Sequence, residues 1–306
     1  MSPTPNNIQA AVIQHKGLPD QASSLNQTET LIRQAASGGS KLILLQELHA
    51  SLYFCQTQTY DNFALAEALE GPTKTRLSAL AKELECVIVG SIFEKRMAGV
   101  YHNTAIVLDT DGSLAGIYRK MHIPDDPGFN EKFYFSPGEH DQIQQIGFTP
   151  INTSIGKLGV LVCWDQWYPE AARLMALAGA EILLYPTAIG WDAEDTKEEQ
   201  QRQLDAWTLI QRSHSVANHL PTLVANRVGH EPDPSSNTQG ITFWGNSFIS
   251  GPQGEILAEG SNTETQILSA TLDLSRTEQL RQIWPYFRDR RIDAYSALSQ
   301  RSIKSQ

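Results

Sequence analysis

Three apolar runs in this 306-residue chain end in a side chain that can do chemistry. Lys41-Leu42-Ile43-Leu44-Leu45-Gln46 runs into the carboxylate of Glu47, Gly116-Ile117-Tyr118-Arg119 into the amine of Lys120, and Leu158-Gly159-Val160-Leu161-Val162 into the thiol of Cys163. Each reads as a strand, the first with a buried pattern, so an acid, an amine and a thiol stand at three strand ends. A thiol attacks carbonyl carbon as thiolate, and at an ordinary pKa of ~8.5 it is mostly protonated near neutrality, so it needs a base. No histidine lies in the strand ends flanking Cys163, and His49, His102 and His122 lack the local signature of a cysteine–histidine pair. A carboxylate in a dry pocket can serve instead, because desolvation raises its pKa towards the thiol's. Glu47 is the best-placed acid. Lys120 then supplies a fixed cation for the thiolate and for the oxyanion of a tetrahedral intermediate, and the backbone N–H of Trp164 is a second donor to that oxyanion.

These groups need a framework of alternating strands and helices. Ile8 to Gln14 reads as a first strand, Thr28 to Ala36 as a helix closed by Gly38-Gly39, and 41–47 as the next strand, which makes a β-α-β unit. Pro72 opens a second helix, Cys86 to Ile92 follows as a strand, and Asn103 to Tyr118 reads as a hairpin turning at Asp109-Thr110-Asp111-Gly112. After Cys163 come a helix over Pro169 to Ala178, a strand over Ala180 to Pro186, a long helix from Glu198 to His219 and a strand over Thr222 to Arg227. Asn246 to Leu257 echoes the hairpin that begins at Asn103. An echo of this kind predicts two related sheets packed face to face with helices outside, in four layers, α-β-β-α. No glycine-rich turn follows the first strand, so dinucleotide binding has no support.

Composition narrows the class further. With 41% hydrophobic residues evenly spread and no linker-like break, the chain suits a single domain over 1–306. Cys55, Cys86 and Cys163 lack the spacing of a zinc site or a disulfide framework, which predicts a reducing, cytoplasmic setting without metal. Residues 1–7 lack a signal-peptide pattern, and no apolar run has membrane-spanning length, so the sequence predicts a soluble protein. A formal net charge of -10 argues against nucleic acid and mildly favours a cationic small molecule. Tyr286 to Tyr295 is charged with spaced aromatics, and the 285–306 stretch is expected to lie as a tail over a partner subunit.

Glu47, Lys120 and Cys163 in this order, with Tyr118-Arg119-Lys120-Met121-His122-Ile123-Pro124 and the run Cys163 to Arg173, resemble the nitrilase superfamily of carbon–nitrogen hydrolases. Through Pro127 to Phe135, Tyr185 to Gly190 and Phe287 to Arg291 the likeness is greatest to its N-carbamoylputrescine amidase branch. The resemblance implies a Glu–Lys–Cys triad in an αββα sandwich, no organic cofactor, and a homo-oligomer. Glu131 matches a second glutamate of the family that positions the lysine and the substrate. By this likeness N-carbamoylputrescine and water would give putrescine, carbon dioxide and ammonia. A β-ureidopropionase-like or ω-amidase-like hydrolase is the alternative, and a non-catalytic regulatory protein on the same fold is a third reading, against which stand all four reactive residues.

Relatives that act on N-carbamoyl amino acids hold the substrate carboxylate with arginines just after the cysteine, where this chain has Gln166 and Trp167. A neutral or cationic substrate is therefore expected. Asp125, Asp126, Asp192, Glu194 and Asp195 are candidate partners for a distal ammonium, and Tyr53, Thr187, Ala188 and Trp191 join Asp125 and Asp126 as candidate substrate contacts.

Overall fold

The computed structural model describes residues 6–141, 146–235 and 239–303. In chain order the first half holds β1 (Asn7–Gln14), α1 (Gln21–Ser37), β2 (Leu42–Leu44), α2 (Pro72–Leu84), β3 (Val87–Met97), β4 (Val100–Leu108), β5 (Leu114–Arg119) and the single turn α3 (Glu131–Tyr134). The second half holds β6 (Ile151–Thr153), β7 (Gly156–Val160), α4 (Pro169–Leu177), β8 (Ile182–Pro186), β9 (Gly190–Asp192), α5 (Lys197–Asn218) and β10 (Thr222–Ala225). There follow β11 (Val228–Glu231), β12 (Ile241–Trp244), β13 (Phe248–Ser250), β14 (Ile256–Glu259), β15 (Gln266–Asp273) and α6 (Leu274–Ile283).

Two six-stranded sheets result, ordered β15-β1-β2-β3-β4-β5 and β14-β13-β10-β8-β7-β6. In each, three parallel strands joined through helices lead into an antiparallel hairpin, β4/β5 in one and β13/β14 in the other. The echo in the sequence thus marks corresponding hairpins of two related halves. Alternation along β1 shows how the layers are sealed. Ile8, Ala10 and Val12 join a core shared with Leu158, Val160, Leu184 and Val224 of the other sheet, whereas Ala11 and Ile13 pack with Ile32 of α1 and Leu77 of α2. On the far side Ala172 and Met175 of α4 and Trp207 of α5 close the fourth layer. Each buried Ile, Leu, Val or Met among these stabilises the fold by roughly 1.5–3 kcal/mol relative to exposure.

Several boundaries differ from the sequence reading. α1 begins seven residues before Thr28, at Gln21, because Asp20 caps it by accepting from Ser23 N at 2.8 Å; the apolar period that marks a helix becomes visible only further along. β2 stops at Leu44, Leu45 N still donates to Val89 O at 2.9 Å, and the chain then leaves the ladder towards a turn at Leu48, whose φ is +48°. β15 and α6 had no sequence counterpart; β15 is largely half-exposed and carries polar residues on an edge, which weakens its pattern. The 109–112 turn stands as expected, with Gly112 N donating to Asp109 O at 2.8 Å and Gly112 at φ +82°. Beyond Ile283 the described chain forms a turn in which Asp289 N donates to Pro285 O at 3.1 Å and two 3₁₀ turns, Ile292–Ala294 and Ser296–Ser299, with Ile292, Leu298 and Ile303 exposed. No helix among the described residues is long and apolar enough to cross a membrane.

Beneath α1, Thr28 Oγ1 lies 3.4 Å from His15 Nε2 and 3.4 Å from His49 Nδ1. Burial holds His15 down at about 4 and His49 at about 3, against an ordinary 6.5. Both are neutral in the fold, while the unfolded chain takes up protons as pH falls through 6.5. Their contribution to stability is therefore complete above that value and is lost progressively below it. Denaturant midpoints should fall between about pH 7 and about pH 5, and His49→Gln should flatten the dependence, read from urea unfolding at both pH values.

Candidate active site

β7 delivers the chain into a single 3₁₀ turn, Cys163–Trp167, from which Pro169 starts α4. Cys163 has φ +45°, in the left-handed region where a non-glycine residue costs roughly 1–3 kcal/mol and persists only if its surroundings impose it. Asp165 does much of the imposing. Its buried carboxylate accepts from Val162 N at 2.9 Å, Tyr118 Oη at 2.8 Å and His122 N at 3.0 Å, with His122 Nδ1 at 2.6 Å. The turn is thereby tied to the strand end that carries Lys120, and Cys163 Sγ comes 4.0 Å from Ala188 O.

Lys120 is buried between two carboxylates. Its ammonium donates to Glu47 Oε1 at 2.9 Å and to Glu131 Oε2 at 2.7 Å. Glu47 Oε1 also accepts from Asn103 Nδ2 at 2.6 Å, and Glu131 Oε1 accepts from Tyr53 Oη at 2.8 Å. Glu47 Oε2 has no hydrogen-bond partner, so one carboxylate oxygen is left to take a proton. Burial by itself would strip the proton from Lys120, but the charges of Glu131 and Glu47 outweigh it and hold the amine well above its ordinary range. Burial pushes Glu131 up, against the pull of Lys120. Burial also raises the Cys163 thiol well above its usual range; Glu47 adds to the rise and Lys120 opposes it. A thiol held neutral at rest needs its proton removed as it attacks, and an acceptor oxygen beside a fixed cation supplies the means.

Cys163 opens onto a cavity of about 670 Å³. Phe129, Trp164, Trp167 and Trp244 form aromatic walls. One stripe of α5, Glu199, Arg202, Gln203 and Ala206, closes another side at helical spacing. Asp126, Asp192 and Asp195 add carboxylates.

The family model for carbon-nitrogen hydrolases matches residues 9–282. This chain belongs to the carbon–nitrogen hydrolase family. It is 44% identical over 281 residues to an N-carbamoylputrescine amidase of Arabidopsis thaliana, covering 91% of each chain. It is 41% identical over 293 residues to a citrullinase of Francisella tularensis, covering 95% of this chain and 98% of that one. Among solved structures, a carbon–nitrogen hydrolase from Helicobacter pylori superposes with a TM-score of 0.93 at 52% identity, over 97% of this chain and 100% of that one. The fold of this carbon–nitrogen hydrolase is accordingly the αββα sandwich of the nitrilase superfamily.

Of the candidate residues, Glu47, Lys120, Glu131 and Cys163 come together, and Trp164 is the second residue of the 3₁₀ turn, whose first N–H groups lack partners within the turn. Asp126, Ala188, Asp192 and Asp195 line the cavity. Other candidates are placed elsewhere. Tyr53 is spent on Glu131 behind the cavity, and Thr187 is buried with its hydroxyl towards Gln166 and Tyr185 O. Trp191 packs beside Trp244 and donates to Gln200 O, and Asp125 and Glu194 point into solvent. Gln166 also turns inward, accepting from Trp207 Nε1 at 2.8 Å, so of the pair after the cysteine only Trp167 and not Gln166 borders the cavity.

Sequence reasoning missed Asn103, the Asp165 hub, and the pair Asn226 and Arg227 just past β10. The last had a usable signal, since they too close an apolar strand run, as Glu47 and Cys163 do.

Because the charge of Glu47 helps to hold the thiol proton on, Glu47→Gln should move the pH dependence of Cys163 alkylation by iodoacetamide to lower pH, and Lys120→Met should move it higher. Rates of labelling followed by mass spectrometry across pH would give both shifts; movement in the opposite directions would contradict this electrostatic account.

Proposed function

We propose that this chain is a cysteine-dependent hydrolase of N-carbamoylputrescine, with Cys163 as nucleophile, Glu47 as general base and acid, and Lys120 as oxyanion cation. Glu131 positions Lys120, and the Trp164 N–H is the second oxyanion donor. In this reading Glu47 takes the Sγ proton as sulfur attacks the ureido carbon. Collapse of the tetrahedral intermediate breaks the bond to the terminal nitrogen, which leaves as ammonia carrying the proton from Glu47. A carbamoyl thioester remains. Glu47 then deprotonates water, which adds to the thioester carbon; sulfur departs and recovers the proton, and the released carbamic acid breaks down to carbon dioxide and putrescine.

The observation that carries the substrate assignment is the cavity's charge. Glu199 is already paired with Arg202 at 3.0 Å, and Asp195 accepts from Gln203 Nε2 and Asp192 N. Asp126 is half-buried, one of its oxygens lacks any hydrogen-bond partner, and burial raises its pKa. An ammonium arriving among Phe129, Trp164 and Trp167 would supply the missing charge and gain from the aromatic faces. Citrulline is the second reading, favoured by the likeness to the citrullinase and by Arg202 on the cavity wall, which offers a cation to an α-carboxylate.

We further propose a homo-oligomer in which 285–303 lies over a partner subunit, 304–306 of that stretch being outside the described residues, supported by the exposed Ile292 and Leu298 there and by Leu174 and Leu177 on α4. The buried, unpaired thiols of Cys55, Cys86 and Cys163 suit a reducing cytoplasm.

Ammonia release from a panel of N-carbamoylputrescine, citrulline and N-carbamoyl-β-alanine tests the assignment. N-carbamoylputrescine should lead the β-alanine derivative by at least roughly 10-fold in kcat/KM. Asp126→Asn should weaken the cationic substrate more than a neutral carbamoyl-alkylamine of equal length. A better rate with the β-alanine derivative would overturn the substrate reading and leave the hydrolase.

Cys163→Ser should abolish turnover, and Glu47→Gln and Lys120→Ala should each lose roughly 10²-fold or more in kcat. Near-normal kcat in any of the three would remove that residue from the mechanism.

A further inference from the structure

The nucleophile and the base come from different halves of the molecule, so something must hold two strand ends in fixed relation. Directly after β10, Arg227 touches the segment that carries Glu47, and Asn226 touches the segment after β8 that packs on Cys163. Asn226 Oδ1 accepts from Ile189 N at 3.0 Å and Asn226 Nδ2 donates to Ile189 O at 3.1 Å, fixing the segment next to Ala188, whose carbonyl faces Cys163 Sγ. Arg227, fully buried, reaches the other way. Its Nη2 donates to the carbonyls of Glu47 at 3.2 Å and Leu48 at 2.9 Å, and its Nη1 to Ser51 O at 2.9 Å. Glu231 backs the guanidinium with Oε1 at 2.6 Å from Nη1, while its Oε2 accepts from the backbone N–H of Tyr53 at 2.6 Å. Tyr53 in turn holds Glu131.

Two further features mark this as a fitted arrangement. Leu48 turns through φ +48° immediately after Glu47, a conformation that needs outside support, and Arg227 binds its carbonyl. Gly17 leaves room for the pair: a Cβ there would stand 2.3 Å from Glu231 Oε1 and 2.6 Å from Arg227 Nη1. We infer that Arg227, backed by Glu231, is a positioning residue that sets the separation between the Glu47 carboxylate and the Cys163 thiol. This rests on the proposed role of Glu47 as base. A buried guanidinium needs acceptors for its remaining N–H groups wherever it sits, and what distinguishes this one is where those acceptors lie. Here three guanidinium contacts go to carbonyls of the segment that carries the base, and a shift of about 1 Å in such a segment can cost roughly 10²-fold in rate.

Three variants of the full-length protein test the inference. Arg227→Lys keeps the charge and loses the fork, Glu231→Gln keeps an acceptor for Tyr53 N and loses the charge, and Gly17→Ala presses on both without removing either. Each is assayed for kcat and KM with N-carbamoylputrescine, for thermal midpoint, and for the pH dependence of Cys163 alkylation by iodoacetamide. The expected result, in variants folded at the assay temperature, is a kcat lower by roughly 10- to 100-fold, a KM within roughly 3-fold, and an alkylation profile displaced towards that of Glu47→Gln. Wild-type kcat and profile in folded variants would overturn the inference. Failure of all three to fold would also overturn it, by assigning the pair to stability. If Glu47→Gln itself keeps a normal rate, the base assignment fails whatever the three variants do; loss in Glu47→Gln beside normal rates in the three removes only the positioning role.

Discussion

The burial of one ammonium between two carboxylates is the constraint around which the rest of this protein is arranged. An unpaired lysine at the position of Lys120 would shed its proton, since isolated buried charge is among the costliest things a fold can contain. Glu47 and Glu131 reverse that, at 2.9 and 2.7 Å, and raise the amine's pKa well above its ordinary range. The carboxylates in turn need donors, and Asn103 and Tyr53 supply them. Each of these side chains is buried, so none can be removed without leaving a charge or a polar atom uncompensated.

The four-layer architecture makes such a cluster affordable. Sheet faces that pack on one another and on helices seal the strand ends from water, and at those ends the backbone leaves its ladder and side chains of different strands converge. Glu47 follows β2 in one half and Cys163 follows β7 in the other, and the backbone joins the Glu47 segment to the second half where Glu47 N donates to Thr187 O, just past β8, at 3.3 Å. Strain is placed at the same points: both Leu48 and Cys163 adopt positive φ. The Asp165 hub holds one of these turns and Arg227 with Glu231 the other, so the two strained turns each have a buried charged support.

Outside the cluster the cavity is of a different character. Aromatic rings and carboxylates, with a single arginine already engaged by Glu199, give it a bias towards positive charge that matches the chain's overall negative balance. The reacting end is thus tightly specified by ion pairs and hydrogen bonds, while the distal end is shaped by one face of α5 and by the loop bearing Asp126. On the proposed assignment, the residues of the chemistry and those of selectivity are distinct, because the α5 stripe lines the cavity and the ion pairs of Lys120 lie with Glu47 and Glu131.

Much of this was legible in the amino-acid sequence alone. Apolar runs ending in Glu47, Lys120 and Cys163 are local patterns, and a strand of hydrophobic residues that stops at a reactive one is readable without neighbours. The repeated hairpin was readable for the same reason, as was α5, whose length makes its period plain. What tertiary structure decided are relations between segments distant in sequence. Asn103 and Glu231 look like ordinary polar residues on strands, and Arg227, although it closes a strand run, shows its target only when folding brings it across 180 positions to Glu47 O. Gln166 stands in sequence where relatives hold a substrate carboxylate with arginine, yet the 3₁₀ turn rotates it into the core against Trp207, and of that pair only Trp167 borders the cavity. Side-chain direction within a turn depends on backbone angles that the packing of α4 and α5 imposes. Among the acids, sequence offered five candidates of equal merit, and burial separated them: Asp125 and Glu194 face solvent while Asp126 is drawn inward. Residue type fixes what a group can do; which groups meet, and with what pKa, is set by the desolvation and charge that only the assembled fold provides.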